Sequence, residues 1–134
     1  MFLGINILAV CVVALLAVAI GSVWYSPLLF GKIWVRSLGI ANADVDFSKK
    51  EMVGVTARAV LIQIFFFSIV RWMSISLTYS SLCLFILAVL GMIVFHLGLI
   101  ALWEKRPLSY VFVHAGYTAL ILFGGLTVMI YWPW

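Results

Sequence analysis

A chain of 134 residues that is 67% hydrophobic and 9% charged, with a mean hydropathy of +1.30, carries more apolar surface than a water-soluble core of its size can hide. It reads as an integral membrane protein. Its formal net charge of +4 is not the footprint of a nucleic-acid binder, because the basic residues sit at the ends of apolar runs, where they set topology.

The first apolar run, Phe2 to about Tyr25, has no charge and exceeds the roughly 20 residues a bilayer crossing needs, so a span is predicted over 2–26. It lacks the basic start and cleavage site of a signal peptide and is expected to be retained. Ala17-x-x-x-Gly21 gives it a small-residue stripe on which another helix could pack closely. At Pro27 the run meets its first proline, with Trp24, Tyr25 and Trp34 as rings suited to the boundary between hydrocarbon and water. Lys32 and Arg36, four apart, predict a short interfacial amphipathic helix over 28–38 that Gly39 ends. Asp44 and Asp46 follow in a connection that reads as a solvated loop rather than a cation site, since no third oxygen ligand is near.

Ser48-Lys49-Lys50-Glu51 has the spacing of a capping box and opens a second span, 51–72, which Arg58 interrupts. Ser74 to Ser81 reads as a polar turn, followed by a third span over 82–104 that holds Gly91, His96 and Gly98. Glu104-Lys105-Arg106-Pro107 is a basic corner, with Pro107 placed to start a fourth span, 107–131. Trp103, Trp132 and Trp134 join Trp24, Tyr25, Lys32, Trp34 and Arg36 as expected interfacial anchors. Cys11 and Cys83 lie inside apolar runs without C-x-x-C spacing and read as packing residues. The expected fold is all-α: four transmembrane helices plus the interfacial helix, in one membrane domain over 1–134. Basic residues crowd the first and third connections, so the positive-inside rule predicts both termini outside the cytoplasm.

Gly21-Ser-Val-Trp-Tyr-Ser-Pro-Leu-Leu-Phe-Gly-Lys-Ile-Trp34, with Leu102-Trp-Glu-Lys-Arg-Pro107 and Ala115-Gly-Tyr117, resembles a widespread bacterial family of small integral-membrane proteins known only as a domain of unknown function. The resemblance implies a compact four-span protein of the bacterial inner membrane and brings no activity or catalytic residues.

Arg58 stays charged, and an arginine near a helix centre costs roughly 2.5–3.5 kcal/mol on insertion scales, so something should compensate it. Counted from their charged ends, Arg58, His96 and His114 all come out about 10–12 Å deep, and Tyr110, His114 and Tyr117 share a helix face. Three readings follow. The residues are structural, Arg58 snorkelling toward the headgroups; or Arg58, His96, His114 and Tyr117 hold an anionic lipid; or a histidine ligates a metal, haem or chlorophyll-type pigment. No cofactor is predicted from a motif. The chain has no G-x-S-x-G, H-E-x-x-H or phosphate-binding glycine loop and no carboxylate within a span, so a non-enzymatic role is expected. The expected function is an accessory or scaffold subunit that packs against the lipid bilayer and other membrane subunits, or against copies of itself. Ligand binding or transport is the alternative.

Overall fold

The computed structural model describes residues 7–39, 49–74 and 78–132, which form α1 (Ile7–Trp24), α2 (Gly31–Ser37), α3 (Lys49–Ser74), α4 (Tyr79–Trp103) and α5 (Leu108–Tyr131). All but α2 contain at least 18 residues that are long and apolar enough to cross a membrane. The four-span, all-α expectation therefore holds.

The boundaries follow local chemistry. α1 ends at Trp24 because the backbone then turns on non-helical bonds, with the Phe30 N–H donating to the Trp24 carbonyl at 3.1 Å and the Gly31 N–H to that of Ser26 at 2.9 Å. Residues 28–30, expected to be helical, belong to this turn instead. α2 stops where Gly39 takes a left-handed φ of 70°, a conformation that favours glycine. α4 begins three residues before the expected Leu82, since Thr78 caps it: its hydroxyl accepts the Ser81 N–H at 3.3 Å. Pro107 caps α5 rather than opening it, its carbonyl accepting the Tyr110 N–H at 3.0 Å. Ser48 of the expected capping box, and the connection bearing Asp44 and Asp46, lie outside the described residues.

α1 packs between α3 and α5, and α4 packs mainly on α5. The buried core sits toward one end of the bundle, on Ala9, Val10, Val13 and Ala17 of α1, Phe67 and Val70 of α3, Leu82 and Ile86 of α4, and Ile121, Leu122, Leu126 and Met129 of α5. Phe67 is fully buried, and its ring occupies the space that a side chain on Gly125 would need, 2.0 Å from the position of a Cβ there. α3 meets α4 in this same half, where Phe66 stacks on Phe85 with centroids 6.2 Å apart. Toward the other end, which carries Lys32, Arg36, Lys105 and Arg106, the packing is uneven. Val53, Gly54, Thr56, Ala57 and Arg58 of α3 are all exposed, and only 6% of the α4 span is buried against 33% of α5. These five residues of α3 and most of α4 thus lie outside the protein's own core.

Candidate functional site

At the charged end, the corner that closes α1 is fastened to α5. The Trp24 indole N–H donates to the Val113 carbonyl at 2.9 Å, and its ring lies 2.8 Å from where a Cβ on Gly116 would stand, so only a residue without a side chain fits there. Phe30 covers the same indole, with centroids 4.4 Å apart. Next to it, the Tyr25 hydroxyl lies 2.9 Å from Nδ1 of His114. Tyr25 also packs edge-on to Trp34 at 5.4 Å and to Tyr117 at 5.2 Å. Tyr117 in turn donates its hydroxyl to the Ala17 carbonyl at 3.2 Å, close to Gly21, where a Cβ would come within 3.0 Å of that oxygen. The small stripe read from the sequence is therefore the seat of a tyrosine from α5. Tyr110 closes the cluster, its ring 4.6 Å from that of His114 and lying under the Arg106 guanidinium. Arg106 is itself paired with Glu104. The three short motifs, more than 60 residues apart at the widest gap between neighbouring motifs, thus converge around His114.

Burial, reinforced by the neighbouring Tyr117 and Tyr110, pushes the hydroxyl of Tyr25, one residue beyond α1, well above the usual phenol range. The hydroxyl is a neutral O–H with Nδ1 of His114 as its hydrogen-bond partner, accepting from that nitrogen in one imidazole tautomer and donating to it in the other. Tyr25→Phe is expected to keep the ring packing while removing this bond, at a cost of about 1 kcal/mol. In protein carrying ¹⁵N-histidine, the Nδ1 signal of His114 should shift. An unchanged signal would show that Tyr25 does not bond this nitrogen.

The structure distributes the other expected site residues differently. Arg58 and His96 are exposed on α3 and α4, and no hydrogen bond or ion pair joins either of them to His114 among the described residues. Of the expected anchors, Lys32 and Arg36 are exposed and Trp103 is 87% exposed. Trp24, Tyr25 and Trp34 are half-buried, with the polar atoms of Trp24 and Tyr25 bonded inside the bundle rather than turned to headgroups. Trp132 packs against the core, and Trp134 lies outside the described residues. Among the described residues no group of three or more His, Cys, Asp or Glu side chains could hold a metal ion. The pairing of Tyr25 with His114 is what sequence reasoning missed. Its one signal was the position of both residues beside aromatic motifs.

A family model described as a protein of unknown function (DUF1761) matches residues 8–130. No curated protein and no solved structure matches the chain.

Proposed function

The chain belongs to that family of unknown function, and we propose that it is a non-catalytic accessory or scaffold subunit that packs laterally against other membrane-spanning helices through the outer faces of α3 and α4. The observation that carries this reading is the exposure of Arg58 and His96 on helices with apolar surroundings, with no partner for either side chain among the described residues. Polar groups within a bilayer face a protein partner or a water-filled cavity far more often than lipid tails. The exposed Gly91 and the open space around Gly98 allow a neighbouring backbone to approach α4 closely. Lys32, Arg36, Lys105 and Arg106 lie at one end of the bundle, so in this reading that end faces the cytoplasm and both termini face the periplasm, across a bacterial inner membrane.

Arg58→Leu separates this reading from simple snorkelling. If Arg58 meets a partner's carboxylate, the leucine variant leaves that anion without its countercharge. Recovery of the partner in mild detergent should then fall by more than about tenfold. Arg58→Lys keeps the charge without the planar fork and should restore recovery only in part. Unchanged recovery in both variants would leave Arg58 as a snorkelling side chain.

A further inference from the structure

Tyr110 and His114, four residues apart, lie on one side of α5, and Arg106 stands in the turn that leads into it. They also touch in series: the Arg106 guanidinium carbon is 5.2 Å from the Tyr110 ring centroid, and the Tyr110 ring is 4.6 Å from that of His114. What unites them is an excess of hydrogen-bond donors. Glu104 engages Nε of Arg106, which leaves the terminal guanidinium N–H groups. The Tyr110 hydroxyl has no hydrogen bond among the described residues, and Nε2 of His114 has none either, since Tyr25 engages the other ring nitrogen. Glu104 is the one carboxylate among the side chains that are described, whereas Lys32, Arg36 and Lys105 stand exposed at the same end. α2, which bears Lys32 and Arg36, packs on α5.

The donors of Arg106 and Tyr110, with the unengaged Nε2 of His114 beside them and cations around them, suit an anion with several oxygens at the membrane surface. We propose that the face formed by Arg106, Tyr110 and His114 binds a phosphate group, carried either by an anionic lipid headgroup or by a soluble phosphate compound. Tyr25 and the rings around it hold the His114 imidazole in one orientation before the ligand arrives, which reduces the ordering that binding has to impose. Arg106, lying over the Tyr110 ring, is restrained in the same way. This site goes beyond lateral assembly, which concerns Arg58 and His96 on other helices.

The test is native mass spectrometry of the full chain in neutral detergent, titrated with phosphatidylglycerol and, separately, with diacylglycerol, which has the same chains and no phosphate. Phosphatidylglycerol should form one tight adduct and diacylglycerol none. Tyr110→Phe removes a single hydroxyl and keeps the ring in its stack, so it should fold as the parent does and weaken the adduct about tenfold. Arg106→Gln should weaken it at least as much, and Lys32→Gln less than either. Displacement of the adduct by millimolar glycerol phosphate assigns the site to a soluble phosphate compound; resistance to it assigns the lipid. Equal binding of diacylglycerol, or an adduct unaffected by both Tyr110→Phe and Arg106→Gln, would overturn the proposal.

Discussion

Gly125→Ala is expected to destabilise the helix bundle by about 1–3 kcal/mol, the usual cost of forcing extra volume into a packed core. A Cβ at Gly125 would stand 2.0 Å from Cζ of Phe67 and 2.6 Å from both of its Cε atoms, and Phe67 is fully buried, so the ring has no free space to rotate into. Helices in a bilayer gain little from the hydrophobic effect on meeting one another, and their association depends on close packing of this kind. The converse change, Phe67→Ala, should therefore cost less than the 3–5 kcal/mol of a water-soluble core, because lipid is as apolar as the interior. What remains is the cavity: about 100 Å³ at ~24 cal/mol per Å³ is about 2 kcal/mol. The two sites should couple. Gly125→Ala introduced beside Phe67→Ala should be close to neutral, since the methyl then enters vacated space. Reversible unfolding in mixed micelles measures all three variants, and additive costs would show that Phe67 does not rest on Gly125.

Gly31→Ala is expected to cost about 2–4 kcal/mol, combining overpacking with a lost hydrogen bond. Its Cβ would lie 2.5 Å from the Tyr25 carbonyl oxygen and 2.6 Å from that of Ser26. These are backbone atoms of the corner itself, unable to swing aside as a side chain could. The corner must open to admit the methyl, and Tyr25 then withdraws from His114, the far partner of its 2.9 Å bond. The loss should appear in two ways, as a lower melting temperature in detergent and as the same shift of the His114 Nδ1 signal expected for Tyr25→Phe. A variant as stable as its parent, with the His114 Nδ1 signal unchanged, would contradict the geometry of this corner.

The spans were legible in the sequence because a bilayer demands little more than length and apolarity, and α1, α4 and α5 supply both. Their ends were less legible. α4 starts early because the Thr78 hydroxyl takes up a backbone N–H, a local bond that a hydropathy pattern does not register. The cluster around His114 was half visible: counting along α5 put Tyr110, His114 and Tyr117 on one face, but Tyr25 is 89 residues from His114 and looked like a ring at the membrane surface. Equal depth also grouped Arg58 and His96 with His114. Depth fixes position along a helix and says nothing about the direction a side chain faces. With Val53, Gly54, Thr56, Ala57 and Arg58 of α3 exposed and α4 mostly outside the core, Arg58 and His96 turn away from the bundle's own packing. Phe67 was equally hidden, because Phe65, Phe66 and Phe67 point to three directions around α3, and the sequence alone does not say which of them meets a glycine.

The central claim, lateral assembly through α3 and α4, is tested most directly by the mass of the native particle extracted from its own membrane in mild detergent. A single chain weighs 15.0 kDa. The account predicts a discrete larger particle, containing other membrane proteins or further copies of the chain, that releases them when Arg58 is replaced by leucine. A monodisperse 15.0 kDa protein carrying only lipid and detergent would contradict it.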